Sequence, residues 1–198
     1  MSKPKKNFSY IDFSKENFDK CGFFVKSLQL KSGAIPSNQD GTHDPWDHIE
    51  SIMALNFIND KDSSELGFEW LINNQNADGS WFSKYEDIYP LEKNKPTHFG
   101  PYIAVAALHF YKIYSDKTYL YYLWPTIESA INFSINIQNM KGTIPWSIDR
   151  KGNIENDYLL TGSSSILKSL ECAIAISKIL NQTKNISKWK KSYSLLKK

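Results

Sequence analysis

Three stretches of this chain end a helix in the same way, and that repetition limits what it can fold into more than any other feature. Aligned on glutamine, FFVKSLQLKSGAIP, FEWLINNQNADGSW and INFSINIQNMKGTIPW place Gln29, Gln75 and Gln138 each four residues ahead of a glycine: Gly33, Gly79 and Gly142. A bulky apolar residue follows two positions later (Ile35, Trp81, Ile144). An aromatic stands five residues before each glutamine (Phe24, Trp70, Phe133), and a small residue eight before (Cys21, Gly67, Ala130). Such self-similarity marks stacked supersecondary units, none of which buries its apolar face alone. The spacing predicts an amphipathic helix running up to each glutamine, a glycine that supplies the turn conformation, and an apolar residue tucked back under the helix.

Between the repeats lie segments of different character: PWDHIESIMALNFI, HFGPYIAVAALHFYKIY and TGSSSILKSLECAIAISKIL. They are apolar around most of their circumference, as helices enclosed by other helices are, whereas the repeat helices keep a polar side. Outer and inner helices therefore alternate. A last outer helix, NISKWKKSYSLLKK, sets Ile186, Trp189, Tyr193 and Leu196 near one face. Asp62 with Glu65 forms a capping-box pattern, Pro125 suits a helix start, and in THDPWDHIE Asp44 is placed to cap, Pro45 to open and Asp47 to complement a helix dipole. Apart from short β-prone pieces such as GTIPW, no strand pattern interrupts the series. The fold class expected is all-α, with helical hairpins side by side.

The aromatic, glutamine, glycine, tryptophan spacing, best preserved in GFEWLINNQNADGSW, resembles the QW repeat of the terpenoid cyclase and protein prenyltransferase superfamily, whose members fold as α/α toroids. DPWDHIE, LWPTIESAINF and LLTGSSSILKSLECA are similar to bacterial proteins labelled prenyltransferase-like, and the hairpin layout is similar to six-hairpin glycosidases. The resemblance covers roughly residues 17 to 182. It implies a partial α/α toroid, about three hairpins of a six-hairpin ring plus an unpaired leading and an unpaired trailing helix. Residues 1–13 read as a flexible basic N-terminus and 14–198 as a single, incomplete toroid domain. A half-ring would expose helices that expect neighbours, so a homodimer completing the ring is one expectation.

The 198 residues, 41% hydrophobic and 14% aromatic, suffice for one substantial core. Twenty-four Lys and Arg against 21 Asp and Glu give a formal charge of +3, carried mostly at the two ends. A nucleic-acid reader would carry its basic stripe on the folded body, so no nucleic-acid partner is expected. YIAVAALHFY, the longest apolar-rich run, is too short to span a bilayer, and no apolar stretch follows the N-terminal lysines. Cys21 and Cys172 form no metal or redox spacing and read as small core residues, which fits a reduced, cytoplasmic setting.

In α/α toroids the functional pocket lies at one end of the ring, where loops lead into the inner helices. The resemblance thus implies one shared rim for His43, Asp44, Trp46, Asp47, His48 and Glu50, for Thr97, His98, Phe99 and Tyr102, and for Asp149, Asp157, Thr161, Gly162 and Ser163 to Ser165. Asp47 and Glu50, three apart, lie about a helical turn from each other, with Asp157 a partner acid from the opposite wall; paired carboxylates are what acid–base work on a glycosidic bond needs. His43, Asp44, Trp46, His98, Tyr102, Asp149, Thr161, Ser163 and Ser164 are the candidate substrate contacts, with Trp46 and Tyr102 offering flat faces to a sugar. Each acid taken singly also has a structural role open to it, Asp47 as dipole complement and Glu50 as a solvated residue. His43, His48 and His98 lack HExxH spacing, so neither metal nor cofactor is called for. TGSSS lacks the closing glycine of a GxSxG elbow. The expected function is a carbohydrate-active enzyme; the alternatives are an isoprenoid enzyme, either prenyltransferase or terpenoid cyclase, and a non-catalytic binding module.

Overall fold

In the computed structural model, which describes residues 14–198, seven α-helices follow one another: α1 (Lys15–Leu28), α2 (Pro45–Phe57), α3 (Lys61–Asn74), α4 (Ile103–Tyr114), α5 (Lys117–Asn136), α6 (Leu160–Leu180) and α7 (Ile186–Leu196). Helix α4 packs between α2 and α6 as an inner wall, while α1, α3, α5 and α7 lie outside. This is the alternation the sequence predicts, and it makes an all-α partial toroid. Neither end helix is unpaired: α1 packs on α2, and α7 packs on α6.

The three repeat turns have one geometry. Gly33, Gly79 and Gly142 have φ of 95°, 89° and 93°, a region that a side chain rarely enters. Each glycine N–H donates to the carbonyl three residues back (Leu30 2.9 Å, Asn76 2.8 Å, Asn139 3.0 Å). Each glutamine then uses its side-chain amide twice. Gln29 donates to Gly33 O (3.3 Å) and Ser63 O (2.9 Å), Gln75 to Gly79 O (3.1 Å) and Thr126 O (3.0 Å), and Gln138 to Gly142 O (2.8 Å) and Ser192 O (3.2 Å). The second acceptor always belongs to the next outer helix. A Cβ on any of these glycines would run into a carbonyl of that same helix, at Leu66, Ser129 or Leu195. The repeat is therefore an outer belt, α1 to α3 to α5 to α7, and Ile35, Trp81 and Ile144 are buried beneath it.

Several local expectations are corrected. Asp60, not Asp62, caps α3, its side chain accepting from Ser63 N at 3.1 Å. Pro125 lies inside α5 rather than at its start, since Asp116 caps the helix upstream by accepting from Tyr119 N at 2.9 Å. Cys21 is exposed, although Cys172 is buried. Short strands also form: β1 (Thr42–His43), β2 (Lys84–Glu86) and β3 (Tyr89–Glu92) make one antiparallel sheet, and β4 (Lys95–Pro96) pairs with β5 (Ser147–Ile148). GTIPW itself is not a strand; pairing begins at the next residue. The basic N-terminus, 1–13, lies outside the described residues. Among those described, no helix is long and apolar enough to cross a membrane.

Candidate active site

The small sheet of β4 and β5 ties the loop before α4 to the loop before α6. Around it Thr97 N donates to Trp146 O (3.0 Å), Thr97 Oγ1 to Pro145 O (2.6 Å), and Ser134 Oγ to Thr97 O. That lacing presses the next residue, His98, onto Trp146, with ring centroids 4.0 Å apart. Gly162, in the first turn of α6, makes room: a Cβ there would stand 3.1 Å from the Trp146 ring and 3.5 Å from His98. On the other side the first turn of α2 contributes Trp46, whose indole stacks on Tyr102 at 4.1 Å with the planes 2° apart. Trp46 also approaches His98 (5.6 Å) and Phe99 (6.4 Å).

Together Asp44, Trp46, His98, Phe99, Trp146 and Thr161 line a cleft of about 270 Å³. The three inner-helix mouths thus converge, which is the geometric content of the rim expectation. Aromatic walls with few polar groups are usual for small-molecule sites, although this volume falls just under the roughly 300–1,000 Å³ that holds a drug-sized ligand.

Asp44 is the one carboxylate among the lining residues. Its Oδ1 accepts from Asp47 N at 2.8 Å as the N-cap of α2. Burial pushes its pKa up to about 6; hydrogen bonds from the Asp47 and Trp46 amides oppose that, and the negative charges of Asp47 and Glu50 add to it. Oδ1 is committed to the helix end. His98 is buried with Nδ1 lacking a partner, and burial pulls its pKa down to about 4, so the ring is neutral near pH 7.

Other candidates go elsewhere. His43 is wholly buried on β1, in a cluster with Trp70 (4.8 Å), Tyr85 (6.0 Å) and His48 (5.7 Å), and touches no cleft residue among its ring contacts. His48 is a brace: Nδ1 accepts from Ile35 N (3.3 Å), and Nε2 lies 2.9 Å from Gly67 O, to which it donates. Asp149 closes its own loop, accepting from Lys151 N and Asn153 N (both 2.8 Å) and from Asn153 Nδ2 (2.9 Å). Asp157 serves through its backbone, its carbonyl accepting from Trp146 N at 2.7 Å, while its side chain is exposed. Ser163 is half-buried and Ser164 exposed, and neither lines the cleft. Asp47 and the exposed Glu50 act on the cleft through their charge on Asp44, and Glu50 also on Tyr102. Among the described residues no three His, Cys, Asp or Glu side chains converge as a metal would need. Trp146 was not foreseen; its signal was a tryptophan two residues beyond the apolar position of the third repeat.

No family model matches the chain. It is 32% identical over 158 residues to an MMP endo-(1,4)-3-O-methyl-α-D-mannosidase of Mycolicibacterium hassiacum, covering 80% of this chain and 44% of that protein. It is 25% identical over 150 residues to an uncharacterized glycosyl hydrolase of Methanocaldococcus jannaschii, covering 73% of this chain and 23% of the other. The chain thus spans less than half the length of the curated relatives it matches. In fold it resembles an α-amylase of Clostridium perfringens (TM-score 0.63, 16% identity, 90% of this chain, 53% of that one) and a D-mannose isomerase (TM-score 0.64, 13% identity, 95% and 51%). These likenesses favour the glycosidase side of the resemblance and lend nothing to the isoprenoid side. The architecture is that of an α/α toroid.

Proposed function

We propose that this chain supplies one wall of a carbohydrate-active site, and that the reaction is cleavage of a glycosidic bond with Asp44 as general acid. The observation that carries the reading is a carboxyl held at about 6 inside a cleft of aromatic rings. A general acid must keep its proton near the working pH while remaining able to release it, and a group near 6 meets both demands. Asp47 and Glu50 are positioning residues on this reading, their charge helping to keep Asp44 protonated. Trp46, braced by Tyr102, and Trp146 offer faces to sugar rings, with His98 and Thr161 as hydrogen-bonding partners for hydroxyls.

Glycoside hydrolysis also requires a second carboxylate. Asp44 has no companion among the lining residues, so that group comes from protein facing the cleft beyond those residues. The Mycolicibacterium relative suggests an internally cleaved, (1→4)-linked α-mannoside carrying 3-O-methyl groups. The aromatic walls are consistent with a methylated sugar, since a buried methyl gains about 0.8 kcal/mol where a hydroxyl would need a partner. The test is hydrolysis of such an oligosaccharide, with an unmethylated mannan beside it, by the intact protein and by Asp44→Asn. Cleavage that Asp44→Asn abolishes supports the assignment; unchanged turnover in the variant removes Asp44 from the mechanism.

A further inference from the structure

The β4–β5 ribbon joins two hollows of the rim. At one end Thr97 N bonds Trp146 O beside the aromatic cleft; the pairs Pro96–Ser147 and Lys95–Ile148 follow, and at the other end Arg150 N donates to Asn94 Oδ1 at 3.2 Å. There Leu91, Glu92, Lys93, Asn94 and Arg150 line a second hollow of about 390 Å³, within the roughly 300–1,000 Å³ of small-molecule sites. Arg150 lies four residues from Trp146, and Asn94 four from His98. At ~3.3 Å per strand residue the two hollows stand about 10–13 Å apart along the ribbon, a gap that about two linked hexoses span.

The polar side chains of this second hollow are uncommitted. In another polar concavity, between α1 and the start of α3, Lys26 is paired with Asp60, and Lys61 with Asp116. Among the described residues Glu92, Lys93 and Arg150 take part in no ion pair. Arg150 is the chain's single arginine, and its planar fork suits paired hydrogen bonds as no lysine does. Its place is fixed from both sides. The Asp149 carboxylate accepts from Lys151 N, Asn153 N and Asn153 Nδ2, and a bridge between Ile148 and Ile154 closes the base of the turn. A sugar's hydroxyls both donate and accept, so a guanidinium, an ammonium and an amide beside one carboxylate match its edge, with the Leu91 side chain for its apolar face. The Glu92 charge disfavours an anion in the same place.

We propose that the hollow between Leu91–Asn94 and Arg150 is a distal subsite, which binds a neutral hexose unit of the same oligosaccharide whose cleaved linkage lies in the aromatic cleft. Arg150 and Glu92 bond its hydroxyls. The proposal rests on the carbohydrate reading and adds the length of the substrate, a chain of about four units or more: one in each hollow and about two along the ribbon between them.

The test grades the oligosaccharide of the hydrolysis assay from disaccharide to hexasaccharide and titrates each by calorimetry into the Asp44→Asn protein, which leaves the ligand uncut. Affinity should rise at least about tenfold once the chain reaches the second hollow, and adding Arg150→Ala should erase that rise while leaving the Kd of the disaccharide unchanged. Arg150→Lys should restore only part of it, because an ammonium lacks the fork. With Asp44 intact, Arg150→Ala should raise KM for the hexasaccharide and leave kcat alone. Arg150 is exposed, so its replacement should move Tm little. No binding at any length, a series without a rise, or an equal loss at every length overturns the proposal. So does Arg150-dependent binding of a hexasaccharide with a terminal carboxylate that is tighter than binding of its neutral parent, since the hollow would then serve an anion. The fate of Asp44 is read separately. An Arg150-dependent series in a protein that cuts nothing keeps the subsite and drops the hydrolase, whereas cleavage that Asp44→Asn abolishes, with no dependence on length, does the reverse.

Discussion

Replacing Asp44 by asparagine should stabilise the protein at neutral pH while removing its activity. Asparagine caps a helix about as well as aspartate, so the 2.8 Å bond from Asp47 N survives. What disappears is the need to ionise a buried carboxyl. The folded pKa of about 6 lies above the reference value of 3.8, so folding is favoured by this group below pH 4 and loses that contribution as pH rises through 6. The gap is worth about 3 kcal/mol at ~1.4 kcal/mol per pH unit, and partial exposure of Asp44 to solvent reduces it to about 1.5 kcal/mol. In a domain of this size that raises Tm by roughly 3–6 °C. Thermal melts of both proteins at about pH 7.5 and about pH 4 check it, because the advantage should vanish at the lower pH. Equal or lower Tm for the variant at the higher pH, or a gap that persists in acid, would refute the claim that burial raises the pKa of Asp44.

Glu50→Gln withdraws a charge that disfavours ionisation of Asp44, so the alkaline limb of the pH–rate profile should move to lower pH by a few tenths of a unit, read by kcat/KM against pH. Gln75→Ala loses two hydrogen bonds to backbone carbonyls, about 1–2 kcal/mol for a half-buried group, and should lower Tm by roughly 3–6 °C without changing KM. His43→Phe keeps the stack on Tyr85 and removes two buried nitrogens without partners. Burial holds His43 at about 4 in the fold against 6.5 outside it, so the wild type loses stability as pH falls between those values; the variant should lose about one proton's worth less, ~1.4 kcal/mol per pH unit, in urea melts across that window. Trp146→Ala should raise KM roughly tenfold, the ~1.5 kcal/mol of an aromatic face lost to substrate, with kcat less affected.

The belt was legible because its signal is local. A glutamine four residues before a glycine, with an apolar residue two beyond, carries its own geometry, and Gly33, Gly79 and Gly142 adopt what that spacing requires. The rim was legible only in outline. Asp44, Trp46, His98, Tyr102 and Thr161 do meet, but weight was placed on Asp47, Glu50 and Asp157, because a cap in sequence reads as an end and not as a buried acid. The cleft that Asp44 lines is completed by His98 and Trp146, which arrive from loops far along the chain. The strands β1 to β5 are two to four residues long, too short for an alternating pattern to show. Cys21 read as core because it lies among apolar residues without a metal or redox spacing, yet it is exposed on α1.

The glutamine clasps are all made to main-chain carbonyls, so they demand nothing of the acceptor's side chain: serine at 63, threonine at 126 and serine at 192 serve alike. A fastening of that kind holds the hoop while the loops at its brim change length and composition. The stretch from Gly33 to α2 is brief, whereas that from Gly79 to α4 bears a whole ribbon of strands, yet the helices beneath are fastened identically. The mouth can therefore drift by insertion and exchange, with the barrel staves left as they are.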